Sequence, residues 1–186
     1  MSKSLGNVIN PFELVKKYGT DPVRYFLLRE IPPTEDGDFT FEKFEQRYND
    51  DLASGLGNLV ARVITLNLKL KTKNVKLMNQ KFAVVIDETK QKTEKALEEF
   101  KFNGALSIIW QLIAFCDQYI DKTKPWEEKA ESKQVISDLL FAIGEIAKFL
   151  APFLPETSEK IQQQLSSNKK EILFPRLAKA VFSKLS

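Results

Sequence analysis

The residues best suited to chemistry lie in two short stretches. In the first, Lys122-Thr123-Lys124-Pro125-Trp126-Glu127, the proline predicts the start of a short helix with Trp126 in its first turn, beside two lysines. An indole face next to positive charge suits an unstacked nucleic-acid base. A tryptophan at a helix start is also a common packing residue, so the sequence leaves both interpretations open.

The second stretch contains Asn58 and Arg62, which are four residues apart and therefore face the same side of a helix. Each precedes an apolar residue, Leu59 or Val63, by one position. This spacing places the amide and the guanidinium at the edge of the buried face. The pair is a candidate for polar contacts to a ligand.

A long amphipathic helix must position this pair. Large apolar residues recur every three or four positions from Phe41 to Leu70, which predicts one helix roughly 45 Å long. Gly55 and Gly57 interrupt it, each at a cost of about 1 kcal/mol relative to alanine. A helix with two such residues either bends there or allows a close approach to its backbone.

The rest of the chain is also predicted to be helical. Pro11 near the first position and Gly19 after the last predict a short helix over 11–18. The spacing of apolar residues predicts further helices over about 20–30, 80–100, 103–121, 132–150 and 155–165. Thr20 or Asp21 is expected to cap the first of these further helices, and Trp110 is expected in the core. Strand signals are almost absent, so the fold class is an all-α helical bundle.

Composition excludes several kinds of catalysis. The 186 residues include no histidine and a single cysteine, Cys116, which falls on an apolar helical stripe and is expected in the core. The acidic residues Glu35, Asp36 and Asp38 lack the ligand spacing of a calcium loop. We therefore expect no metal site. Without a disulfide, a secretory signal or an apolar run long enough for a membrane span, a cytoplasmic protein is expected.

The net charge of +3 neither requires nor excludes a nucleic-acid partner. A basic run, Lys69, Lys71, Lys73 and Lys76, follows the long helix. Such runs are usually solvated turns, and direct contact with RNA is the alternative.

Several motifs together resemble the methionyl branch of the class I aminoacyl-tRNA synthetases. Met1-Ser2-Lys3-Ser4 is similar to the end of their Lys-Met-Ser-Lys-Ser signature, and Tyr18 to Tyr25 resembles the sequence that follows it. Asp36-Gly37-Asp38-Phe39, and Leu56-Gly57-Asn58-Leu59 with Arg62, resemble methionyl enzymes more than valyl, leucyl or isoleucyl ones. Later landmarks are Lys124-Pro125-Trp126 and Leu173-Phe174-Pro175-Arg176.

The resemblance implies two regions: residues 1–38, with the end of the signature loop and a stem-contact segment, and residues 39–186, an anticodon-binding bundle. It implies that Ser2, Lys3 and Ser4 contact ATP, with Lys3 stabilising phosphate charge in the transition state. It further implies that Asn58, Arg62 and Trp126 contact the anticodon stem-loop of methionine tRNA. ATP with magnesium is implied for the full-length enzyme, and no cofactor for this part.

The parts that such an enzyme also needs are a nucleotide-binding Rossmann domain and a histidine-containing ATP motif, neither of which occurs here. We therefore expect a fragment that is inactive alone, whose partner is the missing catalytic domain, with no DNA or membrane partner. The segment around Phe174 is expected to be poorly held. The alternatives are the same region of a valyl, isoleucyl, leucyl or cysteinyl enzyme, and a non-catalytic helical interaction module.

Overall fold

All regular structure in the described part of the chain is helical. The computed structural model describes residues 10–30, 39–72 and 79–178. The elements are α1 (Pro11–Tyr18), α2 (Thr20–Glu30), α3 (Phe41–Arg47), a π-helical segment (Tyr48–Gly57), α4 (Asn58–Leu70), α5 (Gln80–Glu98), α6 (Phe102–Thr123), a 3₁₀ turn (Pro125–Glu127), α7 (Ser132–Leu150) and α8 (Pro155–Ser167). The predicted all-α fold is confirmed. None of the described helices has the length and apolar content to cross a membrane.

Local signals set the ends of the first helix as predicted. The Asn10 side chain caps α1 by accepting a hydrogen bond from the Phe12 amide at 3.0 Å, and Pro11 occupies the first turn. Gly19 ends the helix with φ of 91°, a conformation that glycine adopts without a steric penalty.

The long helix over 41–70 is continuous, but its middle is wider than predicted. Between Tyr48 and Gly57 it is a π-helix, and the amide of Asn58 still donates to the carbonyl of Ala53, five residues back. A Cβ on Gly57 would lie 3.0 Å from the Leu52 carbonyl oxygen, and one on Gly55 would lie 3.4 Å from that of Asp50. The two glycines therefore permit the close backbone approach that the sequence left as one of two possibilities.

A single hydrophobic core connects the helices. Leu52, Leu56, Leu106, Ile109 and Ile143 are among its fully buried members, and α1 and α2 also contribute side chains to it. Cys116 lies in this core, and burial raises the pKa of its thiol to about 12. At neutral pH the thiol is therefore protonated, as the prediction of a packing role requires. Trp110 packs against the core with part of its surface exposed.

Helix α2 is fastened to the junction between α7 and α8 by two side chains. The buried Asp21 carboxylate accepts hydrogen bonds from the backbone amide and the hydroxyl of Thr157, both at 2.6 Å. Arg24 donates to the carbonyl oxygens of Phe153 and Pro152 at 2.8 and 2.9 Å. The prediction that Thr20 or Asp21 caps α2 is wrong, because both residues lie within the first turn of the helix and the Asp21 carboxylate binds the first turn of α8. The division at residue 38 stays a prediction.

The segment around Phe174 is held more firmly than predicted. Phe174 is buried, and its ring lies 5.9 Å from that of Tyr48 and against Gly57. Leu177 exchanges two hydrogen bonds with the Asn49 side chain, at 2.9 and 3.2 Å. The expectation of a poorly held segment is wrong because the buried Phe174 ring and the two hydrogen bonds of Leu177 hold it against residues 48–57.

Candidate nucleic-acid interface

Helices α4 and α6 lie side by side and run in the same direction. Three contacts establish this, because the residue numbers increase together on both sides. The Gly55 backbone, just before α4, faces the Trp110 indole, and Arg62 binds Asp117 on α6. Lys69 then binds Glu128 beyond the end of α6. The surface formed by this pair of helices and the following 3₁₀ turn is called the α4–α6 face below.

Arg62 bridges the two helices at the centre of this face. Its guanidinium donates to Asp117 at 3.1 Å and to Asp121 at 2.6 Å, two carboxylates one turn apart on α6. The Arg62 side chain is 30% exposed, so part of it stays open to solvent. Because both terminal nitrogens are held, the guanidinium plane has a fixed orientation between the helices.

The electrostatic balance at Asp117 depends on Arg62. Burial raises the pKa of the Asp117 carboxyl and the nearby Asp121 charge raises it further, while Arg62 opposes both effects. A carboxyl whose pKa is higher in the folded state than in the unfolded state stabilises the fold below the unfolded pKa. That contribution is lost as the pH rises through the folded pKa.

Replacing Arg62 with alanine is expected to destabilise the protein by about 1 kcal/mol at neutral pH and by less near pH 4. Without the guanidinium the pKa of Asp117 rises further, so ionising this carboxyl at neutral pH costs more. Urea denaturation at the two pH values measures the difference. Lys92→Ala, which breaks an exposed ion pair with Glu88, is the control. An R62A effect independent of pH would contradict this balance.

Trp126 lies on the surface, in the 3₁₀ turn that follows α6. It is 44% exposed, and the turn is bounded by two residues with positive φ, Lys124 at 46° and Glu128 at 54°. The Lys69 ammonium contacts the Glu128 carboxylate at 2.6 Å, which connects the turn to the last part of α4. The predicted short helix is confirmed as this single 3₁₀ turn, and part of the indole is open to solvent.

Asn58 is the first residue of α4 and is exposed, one turn before Arg62. Arg62 and Lys69 follow Asn58 by four and eleven residues, which is close to one and three helical turns, so all three residues share one face of α4. Along the helix axis, Asn58 lies roughly 16 Å from Lys69. Asn58 and Arg62 thus share the α4–α6 face, and Lys69 connects it to the turn that contains Trp126.

The lysines near the ends of α4 and α6 and just after the 3₁₀ turn are in two different states. Lys69 and Lys129 are engaged by Glu128 and Glu127. Exposed lysines at positions 71, 122 and 124 form no ion pair within the described ranges. The positive charge of these three side chains is therefore available to an anionic ligand, whereas Lys73 and Lys76 of the predicted basic run lie outside the described residues.

Ser2, Lys3 and Ser4 lie outside the described residues, as does the acidic cluster at 35–38. The sequence reasoning also missed Asp117 and Asp121. Their spacing of four residues was visible as a signal for one helical face, but nothing local indicated which basic residue they would bind.

The chain matches two family models along its length. Residues 1–64 match the model described as tRNA synthetases class I (M), and residues 79–181 match the anticodon-binding domain of tRNA ligase. The second match covers more than half of the chain. The chain therefore belongs to the anticodon-binding domain family of tRNA ligases.

Comparison with individual proteins identifies the branch of that family. The chain is 39% identical over 177 residues to methionine–tRNA ligase of Caldanaerobacter subterraneus subsp. tengcongensis, covering 89% of this chain and 28% of that protein. It is 40% identical over 178 residues to the Bacillus subtilis enzyme of the same name, covering 89% of this chain and 27% of that protein. The chain thus spans less than a third of the length of these relatives.

Solved structures agree with this branch. Mycobacterium tuberculosis methionyl-tRNA synthetase in complex with methionyl-adenylate aligns with a TM-score of 0.81 and 27% identity, over 95% of this chain and 41% of that one. The resemblance to the C-terminal, tRNA-binding part of methionyl-tRNA synthetases is therefore confirmed.

Proposed function

We propose that this chain recognises the anticodon stem-loop of methionine tRNA through Asn58, Arg62 and Trp126. The observation that supports this most is that the α4–α6 face carries both a guanidinium fixed by two carboxylates, that of Arg62, and the partly exposed indole of Trp126 in the turn after α6. Unpaired anticodon bases expose both their faces and their Watson–Crick edges, so they match an aromatic face and oriented polar groups. Family membership supports the same ligand class.

Each side chain has a distinct role in this proposal. The Trp126 face stacks on one base, and stacking tolerates any base because each has a π face. The Asn58 amide and the Arg62 N–H groups that Asp117 and Asp121 leave unused contact base edges and supply the discrimination between bases. The unpaired lysines at positions 71, 122 and 124 attract the phosphates of the stem and make binding salt-dependent.

The proposal extends to the larger enzyme. There the chain would serve a ligase that joins methionine to its tRNA, and Ser2, Lys3 and Ser4 would contact ATP. Bound ATP with magnesium supplies the phosphate chemistry of activation, and a fixed positive charge such as Lys3 stabilises the leaving phosphates. The catalytic domain of that enzyme is the second partner proposed, and the cytoplasm is the proposed location.

Binding of two anticodon stem-loops tests this function. A stem-loop with the methionine anticodon should bind at least about tenfold more tightly than one whose first anticodon base is changed, because the wrong base leaves polar groups on the protein unpaired. Fluorescence anisotropy at low and moderate salt measures both affinities. Equal affinities would contradict anticodon recognition, and the absence of any binding at low salt would favour the interaction module.

A further inference from the structure

The two helices of the α4–α6 face both end on a residue with strained backbone. Lys71 follows α4 with φ of 51° and ψ of 49°, and Lys124 follows α6 with φ of 46° and ψ of 58°. These angles are left-handed, and in that conformation the Cβ of an L-residue lies too close to the following carbonyl oxygen. Helices commonly place glycine at such an end because it has no Cβ. The chain thus keeps a lysine at two positions where glycine has the lower steric cost.

The backbone around both lysines fixes this conformation. The amide of Lys71 donates to the carbonyl of Asn67 at 2.8 Å and so closes the last turn of α4. The amide of Lys124 donates to the carbonyl of Ile120 at 2.9 Å and closes α6 in the same way. Lys124 also precedes Pro125, whose ring favours extended backbone in the residue before it. Strained residues persist where the surrounding structure determines them, and they are concentrated at functional sites.

The other α-helices that end with a positive φ have a local explanation. Gly19 after α1 and Asn168 after α8 are residue types that tolerate this conformation. Phe100 after α5 has a φ of 56°, and its ring lies edge-on to that of Phe102 at 6.4 Å. The two lysine side chains, in contrast, are exposed and form no hydrogen bond or ion pair within the described ranges. Contacts inside the described part of the protein therefore do not account for them.

The two lysines lie at the same end of the α4–α6 face, next to the turn that contains Trp126. The contact between Lys69 and Glu128 at 2.6 Å places the end of α4 beside the turn that follows α6. Lys124 begins that turn, and its carbonyl accepts a hydrogen bond from the amide of Glu127 at 3.0 Å. A nucleotide whose base stacks on Trp126 brings its phosphates to this end of the face.

We propose that Lys71 and Lys124 bind backbone phosphates of the anticodon stem-loop directly, and that these contacts are the reason a lysine occupies each strained position. The inference rests on the proposed function, which supplies the RNA. Each ammonium group forms an ion pair with one phosphate, a contact that positions nucleic acid without reading its sequence. Lys122 lies within the regular backbone of α6 and contributes only to the long-range attraction.

Glycine and glutamine variants separate the strain from the charge. Lys71→Gly and Lys124→Gly remove the strain, so each should raise the melting temperature by about 2–4 °C. Each should also bind the methionine anticodon stem-loop about three- to tenfold more weakly, because one charged contact is lost. Lys71→Gln and Lys124→Gln remove the charge and keep the strain, so they should lose the same affinity without the thermal gain. Circular dichroism and fluorescence anisotropy measure the two effects.

Salt dependence distinguishes a phosphate contact from a base contact. Each glutamine variant should reduce the slope of log K against log salt concentration by about 1. It should also weaken the cognate stem-loop and the one with a changed anticodon equally, because phosphates are the same in both. Lys95→Gln is the matched control: it removes one exposed charge from α5, near the start of α6, and should change the affinity by less than about twofold.

Three results would contradict the proposal. If the unmodified chain binds the stem-loop and the variants at 71 and 124 keep its affinity and salt slope, this inference alone is overturned. Absence of binding by the unmodified chain would overturn the proposed function together with it. A lower melting temperature in both glycine variants would show that the lysines stabilise the helix ends, which contradicts the reason given for their retention.

Discussion

Replacing Trp126 with alanine is expected to weaken binding of the methionine anticodon stem-loop by about 1–3 kcal/mol, or roughly 5- to 150-fold. The loss follows from removing the aromatic surface on which a base stacks. Trp126 is 44% exposed, and of the other two residues in the 3₁₀ turn Glu127 is exposed while Pro125, which the change leaves in place, is buried, so the fold should persist. Fluorescence anisotropy gives the affinity, and thermal unfolding followed by circular dichroism gives the stability.

An aromatic residue at the other end of α6 provides the control. Phe100 is 69% exposed and precedes a helix of 22 residues that ends before Trp126, so the two aromatic side chains lie roughly 33 Å apart. Phe100→Ala should leave the affinity unchanged, and Trp126→Phe should retain part of it. A Trp126→Ala protein that unfolds, or that binds as tightly as the original chain, would favour the packing interpretation.

Replacing Asp21 with alanine is expected to lower the free energy of unfolding by about 3 kcal/mol or more. This carboxylate is 2% exposed and accepts two hydrogen bonds at 2.6 Å from Thr157. Its removal leaves the amide and the hydroxyl of Thr157 buried without an acceptor, at a cost of about 1–3 kcal/mol for each group. Urea denaturation measures the change, with the slope of the transition checked for cooperativity.

Two variants calibrate this value. Glu88→Ala removes an exposed carboxylate paired with Lys92 and should change stability by less than about 0.5 kcal/mol. Asp21→Asn keeps one oxygen acceptor and should fall between the two. If Asp21→Ala is no more destabilising than Glu88→Ala, then α2 does not depend on this contact with α8.

Features governed by neighbouring residues were predictable from the sequence. Pro11 and Gly19 gave the bounds of α1, and Pro125 gave the turn that contains Trp126, because caps and turns depend on a few adjacent dihedral angles. The π-helical segment was missed, although four core residues are spaced by strict fours: Phe44, Tyr48, Leu52 and Leu56. In an α-helix each such step turns about 40° beyond a full turn, so an unbroken run of them favours a helix with more than 3.6 residues per turn.

Features that depend on distant residues were not predictable. Asp21 has the residue type of a helix cap, and only the approach of Thr157, 136 residues away, shows where its carboxylate is used. In the candidate site, the positions of Asn58 and Arg62 at the edge of the buried face followed from helical spacing. The engagement of Arg62 by Asp117 and Asp121 did not, because it requires knowing that α4 and α6 are neighbours.

The π-helical segment has a consequence for where the polar pair points. Each residue in a wide turn rotates the chain by less than the 100° of an α-helix, so ten such residues accumulate an angular lag before α4 begins. If residues 48–57 wound as an ordinary α-helix, α4 would leave at a different azimuth and Asn58 and Arg62 would swing away from α6. The direction in which Asn58 and Arg62 point is therefore set by the helical geometry of residues 48–57, although neither residue belongs to that segment.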